Sequence, residues 1–144
     1  MSHQTCTIPS ETSDQFKVLR FRKDKTIAAL VLKIDPNSLQ VVVEHYLQNV
    51  SLEDIVEELP ETSPRFIVIS YELKHKDGRI SYPLAGIYYN PEGSSLNNRM
   101  CYASTVTQVF TEAGITGKVF DLVEAEELTD DWMVSQLESS KTRP

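Results

Sequence analysis

The sequence predicts a single α+β domain with a central mixed β-sheet of about five strands, flanked by helices. The chain has 144 residues, of which 40% are hydrophobic and 24% are charged, as is usual for one globular domain. Helical and strand-like patterns alternate along it, and the last strand follows a long helical crossover. Such a crossover favours parallel pairing, which makes the sheet mixed. We place the domain at residues 10–138, between flexible tails at 1–9 and 139–144.

Two helices are predicted in the first half of the chain. The first spans residues 10–23, with Ser10 or Thr12 as its N-cap. The second is short and follows Ser51, which has the spacing of a capping box with Asp54 and precedes a helix that ends before the next proline. The positions at helical spacing on the first helix are Phe16, Leu19 and Lys23.

Two β-hairpins are predicted around these helices. The first turns at Asp35-Pro36-Asn37, and its nearly continuous apolar strands predict burial on both faces. The second turns at Asp77-Gly78, a dipeptide typical of type I′ turns, and Pro83 predicts an irregular start or an edge position for its second strand. The four predicted strands are 26–34, 39–45, 65–73 and 81–89.

The longest helix is predicted at residues 96–113 and ends at Gly114, a natural C-cap. A fifth strand follows at 118–123, and Thr129 is the predicted N-cap of a final helix. The apolar stripe of the long helix is Met100, Ala103, Val106, Thr107 and Phe110, and that of the final helix is Trp132, Met133 and Leu137. Met100 is either a core residue of this stripe or an interface residue.

The net charge of −7 and the pI near 4.9 argue against nucleic-acid binding, which usually needs a basic surplus. The charge is uneven, because every charged side chain in residues 124–138 is acidic, whereas a basic cluster lies near the N-terminus. That cluster either docks on an acidic partner or is a solvated helix face, and the pattern leaves both interpretations open. Its members are Lys17, Arg20, Arg22, Lys23 and Lys25.

The cysteines indicate a reducing compartment, because the chain has only two, Cys6 in the predicted tail and Cys101 in the predicted long helix. We interpret Cys101 as a buried, inert thiol. No segment resembles a signal peptide, and no apolar run approaches the length of a membrane span. The sequence therefore predicts a soluble cytoplasmic protein.

No set of residues points to catalysis, so we expect a protein that is not an enzyme and needs no cofactor. The histidines His3, His45 and His75 lack metal-ligand spacing to one another or to cysteine, and no known catalytic motif is present. The charged residues 74–77 form either a docking loop or a solvated turn. Trp132 is either a ligand anchor or a core residue of an amphipathic helix.

The start of the long helix carries the run NNRMCYAS after Leu96, which resembles the basic-x-basic-Met-x-Tyr-Ala-Ser motif of the actin-depolymerising-factor and cofilin family. Five other stretches, in order over nearly the whole chain, resemble one branch of it, the glia maturation factors. These stretches are LRFRK from Leu19, ELPE from Glu58, PRFIV from Pro64, DGRISYPL from Asp77 and ELTDDW from Glu127.

The resemblance implies the actin-depolymerising-factor homology fold and a regulator of branched actin networks. Such a protein binds the actin-related protein 2/3 complex, inhibits branched nucleation, promotes debranching and binds actin weakly or not at all. It implies a monomer located at cortical actin in the cytoplasm, with the nucleus left open as a second location. The alternative is a cofilin-like protein that binds and severs actin filaments.

The resemblance also implies two partner-binding surfaces and one modification. Ser2 is a candidate phosphorylation site, where a phosphate would repel an acidic partner. The first surface consists of Ser2, Leu96, Asn97, Arg99, Met100, Ser104 and Thr105. The second surface, on the hairpin and the final helix, consists of Lys74, Lys76, Arg79 and Glu138.

The long helix departs from the cofilin pattern in a way that bears on the two functions. Where cofilins have two basic residues before the methionine, this chain has Asn97 and Arg99. Where cofilins continue with a lysine-rich half-helix, residues 105–112 read TVTQVFTE. Fewer cations weaken electrostatic docking on acidic actin, which favours the actin-related complex over actin as the partner.

Overall fold

The order of strands in the main sheet is β2-β1-β3-β6-β7, in a computed structural model that describes residues 6–141. The strands are β1 Ala28–Ile34, β2 Val41–Gln48, β3 Arg65–Ser70, β4 Leu73–Lys74, β5 Ile80–Ser81, β6 Leu84–Tyr89 and β7 Val119–Leu122. The helices are α1 Ser10–Arg20, α2 Leu52–Val56, α3 Leu96–Ala103, α4 Val106–Glu112 and α5 Asp130–Lys141.

The main sheet is mixed, as predicted. Neighbouring strands are antiparallel except for β6 and β7, which pair in parallel from Gly86 opposite Val119 to Tyr89 opposite Leu122. Strands β4 and β5 form a separate two-stranded ribbon. The predicted fold class is therefore confirmed: one domain with a five-stranded mixed sheet between helices.

The sheet has a hydrophobic cluster on each face, because successive residues of a strand point to opposite sides. In β1, Leu30 and Leu32 belong to the cluster that contains α1, α3 and α4, whereas Ala29 and Val31 belong to the cluster that contains α2 and α5. The prediction of two-sided burial is confirmed for β1 and wrong for β2, most of which is only half-buried. The reason is that β2 lies at the edge of the sheet, with one neighbouring strand.

The N-terminal segment is more ordered than predicted. Thr7 forms a parallel bridge with Gln40, and the Cys6 side chain is only 4% exposed, so the prediction of a free tail is wrong for residues 6–9. Pro9 is the N-cap of α1, and the buried hydroxyl of Thr12 donates to the Val41 carbonyl instead of capping the helix. Helix α1 also ends at Arg20, before the predicted residue 23, while α5 continues to Lys141 through part of the predicted C-terminal tail.

The second predicted hairpin is interrupted. The predicted strands 65–73 and 81–89 are each split in two, and the Tyr71 N–H donates to the carbonyl of Pro83 at the break. Pro83 has no N–H of its own and cannot extend a regular ladder, as its position suggested. The turn is not type I′, because a type I′ turn needs two residues with positive φ and only Gly78 has one, at +93°.

The predicted long helix is two helices, α3 and α4, separated at Ser104 and Thr105. The hydroxyls of both residues donate to the Cys101 carbonyl, at 2.9 and 3.1 Å, where they compete with the helical backbone donor. Gly114 ends α4 as predicted, with φ +86°, and the Ile115 N–H donates to the Phe110 carbonyl at 2.9 Å.

The predicted helix caps on the other face of the sheet are confirmed. Ser51 and Asp54 form a reciprocal capping box at the start of α2. The Trp132 N–H donates to the Thr129 hydroxyl at 3.2 Å at the start of α5. Met133 and Leu137 are buried as predicted, and Trp132 packs edge-on against Phe120 in the core on that face.

One ion pair links the edge strand β2 to the central strand β3 across β1. The Arg65 guanidinium makes two bonds to the Glu44 carboxylate, Nε to Oε1 at 2.7 Å and Nη2 to Oε2 at 3.2 Å. Burial opposes ionisation of Glu44, but the hydrogen bond and charge of Arg65 outweigh it and hold the pKa of Glu44 below its ordinary value. The pair therefore stabilises the fold when Glu44 is ionised.

Glu44→Gln is expected to lower the free energy of unfolding by about 1–3 kcal/mol at pH 7, because a buried guanidinium loses its counter-charge. Since the pKa of Glu44 is lower in the folded state, this stabilisation is present above the unfolded pKa and is lost as the pH falls through the folded pKa. Urea denaturation at pH 7 and pH 3 measures the difference, which should shrink at pH 3. The exposed Glu92→Gln is the control, and equal losses for Glu44→Gln at the two pH values would contradict the assignment.

Candidate partner-binding surfaces

Helix α3 has an exposed apolar face. Leu96 and Met100 are 73% and 63% exposed, and they lie one helical turn apart on the same side. Asn97 and Ser104 are exposed beside them. Large apolar side chains are seldom left in water in adjacent pairs without a contact to make, so this face is a candidate docking site.

The opposite face of α3 fixes its orientation. Ser95 caps the helix by accepting a hydrogen bond from the Asn98 N–H at 3.1 Å. The Tyr102 ring is buried against Phe66, with ring centroids 5.2 Å apart, and its hydroxyl accepts a hydrogen bond from the Ile34 N–H at 2.9 Å. With Tyr102 anchored inward, Leu96 and Met100 are held outward.

The apolar stripe predicted for the long helix is buried only in part, and Met100 has the exposure expected of an interface residue. Of its members only Phe110 is buried, while Met100 and Ala103 are exposed. The buried positions recur at helical spacing across the break and are Tyr102, Thr105, Val109, Phe110 and Ala113.

Arg99 is half-buried at the margin of the same face. Burial raises the pKa of Tyr88, and the positive charge of Arg99 acts in the opposite direction. The Tyr88 hydroxyl has no hydrogen-bond partner among residues 6–141. Arg99 is the single cation of α3, which contains no acidic residue.

One predicted first-surface residue is not exposed on this face, and another lies outside the residues that the structure describes. Thr105 is buried and donates its hydroxyl to the Cys101 carbonyl, so the prediction that it contacts a partner is wrong; its role is at the helix break. Ser2 lies outside the described residues. The first surface described by the structure is Leu96, Asn97, Arg99, Met100 and Ser104.

The second surface is centred on the β4–β5 ribbon. Lys74, Lys76 and Arg79 are exposed there, and the Arg79 Nε donates to Asp77 Oδ2 at 2.8 Å. Ile80 is half exposed beside them and was missed, because an apolar residue between Arg79 and Ser81 in an alternating strand is expected to point inward. Both interpretations of residues 74–77, docking loop or solvated turn, fit this exposure.

Helix α5 adjoins the ribbon. The Tyr71 hydroxyl, next to the ribbon, donates to Asp130 at the start of α5, and Lys74 and Val134 line the same cleft of about 360 Å³. Glu138 is exposed further along the helix. Because α3 and α5 pack on opposite faces of the sheet, the first and second surfaces are separate.

The basic cluster of the N-terminal helix is partly used within the fold. The Arg20 Nη1 donates to the Ala113 carbonyl at 3.3 Å, and Arg22 bonds to both oxygens of Thr26. The lysines of the cluster are exposed. Solvation and docking on an acidic partner remain alternatives for those lysines.

No arrangement suited to catalysis was found among the residues that the structure describes. They contain no group of three or more His, Cys, Asp or Glu side chains placed to hold a metal ion. Within that same part of the chain, no helix has the length and apolar character needed to span a membrane. A cleft of about 440 Å³ beside α2 is open and acidic, and its charged lining residues are Glu57, Glu61, Glu92, Glu124 and Glu126.

Cys101 differs from its predicted role as a fully buried thiol. It is only partly buried, and its Sγ lies 3.9 Å from the Sγ of Cys6. Burial raises the pKa of the Cys101 thiol, and the neighbouring Cys6 raises it further, so the thiol form is favoured and attack by the thiolate is slow near neutral pH.

Comparison with known proteins identifies relatives along nearly the whole chain. Residues 5–138 match the family described as cofilin/tropomyosin-type actin-binding protein. The chain is 35% identical to glia maturation factor of Drosophila melanogaster, over 94% of its length and 97% of the relative's. It is 37% identical to human glia maturation factor beta, over 92% of each chain. The solution structure of glia maturation factor from Caenorhabditis elegans superposes with a TM-score of 0.79 at 38% identity, covering 94% and 98% of the two chains.

Proposed function

The chain belongs to the cofilin/tropomyosin-type actin-binding family and, within it, to the glia maturation factors; from this premise we propose that it regulates branched actin networks. Its proposed partner is the actin-related protein 2/3 complex. Binding would inhibit branched nucleation and promote debranching, and direct binding to actin would be weak or absent. We propose a monomer that acts in the cytoplasm at cortical actin structures.

The exposed apolar face of α3 is the observation that carries this proposal. Leu96 and Met100 project outward from a helix whose only charge is Arg99. Such a face suits docking in an apolar groove and is poorly suited to long-range attraction by an acidic filament surface. It therefore favours an actin-related partner over actin itself.

The second surface would make an additional contact. The ribbon cations Lys74, Lys76 and Arg79 lie on the other side of the sheet from α3, so one molecule can touch two partner surfaces at once. Two simultaneous contacts raise the overall affinity without requiring either to be strong. This geometry suits a branch junction, where more than one subunit lies within reach.

The test uses the purified full chain with purified actin-related protein 2/3 complex. Pull-down should recover the complex, and preformed filament branches should dissociate faster when the protein is added. Co-sedimentation with filaments that lack branches should recover little protein. Strong co-sedimentation and severing without any effect on branches would instead establish the cofilin-like alternative, which the family description also allows.

Arg99→Glu is expected to weaken binding to the complex by roughly tenfold, because a cation at the contact margin becomes an anion facing an acidic partner, at a cost of about 1–2 kcal/mol. Binding is measured by titration of labelled protein with the complex, and circular dichroism verifies the fold. Lys118→Glu makes the same charge change at an exposed position outside both surfaces and should bind normally. Equal affinities for the two variants would count against the role of Arg99.

A further inference from the structure

The two cysteines of the chain meet in the folded structure. Cys6 and Cys101 are 95 positions apart in the sequence, yet their sulfur atoms are 3.9 Å apart. Both are free thiols. Bonded sulfur atoms lie about 2.0 Å apart, so the pair must approach by about 2 Å to form a disulfide.

The segment that carries Cys6 is held in place by contacts on either side of the cysteine. The Thr7 N–H donates to the Leu39 carbonyl at 3.0 Å, and the Val41 N–H donates to the Thr7 carbonyl at 2.8 Å. The side-chain amide of Gln108 donates to the Cys6 carbonyl at 3.5 Å. These hydrogen bonds hold Cys6 beside α3, so the N-terminal segment does not have to move far for the two sulfur atoms to bond.

Access to the pair is asymmetric. Cys6 is 4% exposed, whereas Cys101 is partly exposed and lines an open cleft with Asn97 and Leu39. A small oxidant can reach Cys101 from solvent, and the buried Cys6 is placed to resolve the product.

We propose that Cys6 and Cys101 form a reversible intramolecular disulfide that fastens the N-terminal segment to α3, with a disulfide such as oxidised glutathione as the oxidant. The Cys101 thiolate attacks one sulfur of oxidised glutathione, which forms a mixed disulfide and releases one glutathione thiolate. The Cys6 thiolate then attacks Cys101 Sγ and releases the second glutathione. Two cysteine thiols are oxidised and one glutathione disulfide is reduced to two thiols, so atoms and electrons balance.

The disulfide would restrain the N-terminal segment at the edge of the first surface. It would join β2, through the hydrogen bond from the Val41 N–H to the Thr7 carbonyl, to the helix that carries Met100. Because the closed loop would be long, the disulfide should restrict the unfolded chain strongly and raise the melting temperature. The proposed disulfide goes beyond the proposed function and does not depend on the identity of the partner.

The experiment incubates the purified full chain in glutathione buffers of increasing oxidised fraction. The expected product is a monomer lighter by the mass of two hydrogens, with a Cys6–Cys101 peptide after digestion. Its melting temperature should rise by about 5 °C or more and should return to the starting value after reduction with dithiothreitol. Cys6→Ser should instead accumulate a glutathione adduct on Cys101, and Cys101→Ser should react slowly because its remaining thiol is buried.

Several results would contradict the proposed Cys6–Cys101 disulfide. These are two unreacted thiols in oxidised buffer, glutathione adducts on both cysteines, or disulfide-linked dimers as the main product. An intramolecular disulfide that leaves the melting temperature unchanged would also contradict the proposal, since the bond would then not stabilise the attachment of the N-terminal segment to α3. The melting temperatures of the reduced Cys6→Ser and Cys101→Ser variants are compared with that of the reduced original chain. This comparison distinguishes destabilisation by the serine itself from destabilisation by loss of the disulfide.

Discussion

Replacing Met100 with glutamate is expected to weaken binding to the actin-related protein 2/3 complex by roughly 30-fold or more, which corresponds to about 2 kcal/mol. Met100 is 63% exposed, so its replacement removes no core contact and should leave the free energy of unfolding nearly unchanged. In a complex, the glutamate would be buried in an apolar contact without a counter-charge, which is costly. Titration with the complex measures the loss, and the debranching rate should fall in parallel.

The matched control is Val18→Glu. Val18 is also an exposed apolar residue on a helix, but it lies on α1 outside the proposed contact, and its variant should bind normally. Met100→Leu is a second control, because it keeps an apolar side chain of similar volume at the same position. If Met100→Glu retained the affinity of Met100→Leu, the contact face would have to lie elsewhere on the chain.

Local chemistry predicted much of the fold. The Ser51–Asp54 capping box, the Thr129 cap and the Gly114 terminus were correct because each depends on residues within one or two turns. The parallel strand was predicted because its connection is too long for a hairpin. Local predictions failed where a distant contact intervened: Thr12 bonds to the Val41 carbonyl instead of capping α1.

Features set by contacts distant in the sequence were not predictable in this way. Residues 1–9 have a polar composition, and nothing in it shows that Thr7 pairs with Gln40 or that Cys6 faces Cys101. The burial of β2 was overestimated because an apolar run does not show which strand will lie at the sheet edge. Both cases depend on tertiary arrangement.

The predicted stripe of the long helix was placed on the wrong side of the helix at its start. Helical spacing continues across Ser104 and Thr105, so the pattern placed Met100 and Phe110 on one stripe. The structure buries Phe110 and exposes Met100, because the face that packs on the sheet is centred on other positions. These buried positions recur at helical spacing on both sides of the break and are Tyr102, Thr105, Val109, Phe110 and Ala113.

Phe110→Ala is accordingly expected to lower the free energy of unfolding by about 3–5 kcal/mol, the range for removing a buried phenyl ring. The side chain is 2% exposed and packs edge-on against Phe66, with ring centroids 5.9 Å apart. Urea denaturation followed by circular dichroism measures the loss. Phe21→Ala is the control, because Phe21 is 69% exposed and contacts Arg20, at 4.9 Å from the ring, so its removal should cost less than about 1 kcal/mol.

A double-mutant cycle with Gly86 tests how the ring is seated. A Cβ added at Gly86 would lie 2.6 Å from Cδ1 of Phe110, so Gly86→Ala should force the ring away and destabilise the protein by about 1–3 kcal/mol. In the Phe110→Ala background the obstructing ring is gone, and the added methyl group should cost much less or partly fill the cavity. The expected coupling is about 1 kcal/mol or more. If the two single losses in the free energy of unfolding simply add in the double variant, Phe110 does not pack directly on Gly86 of β6. Other contacts would then hold α4 on the sheet.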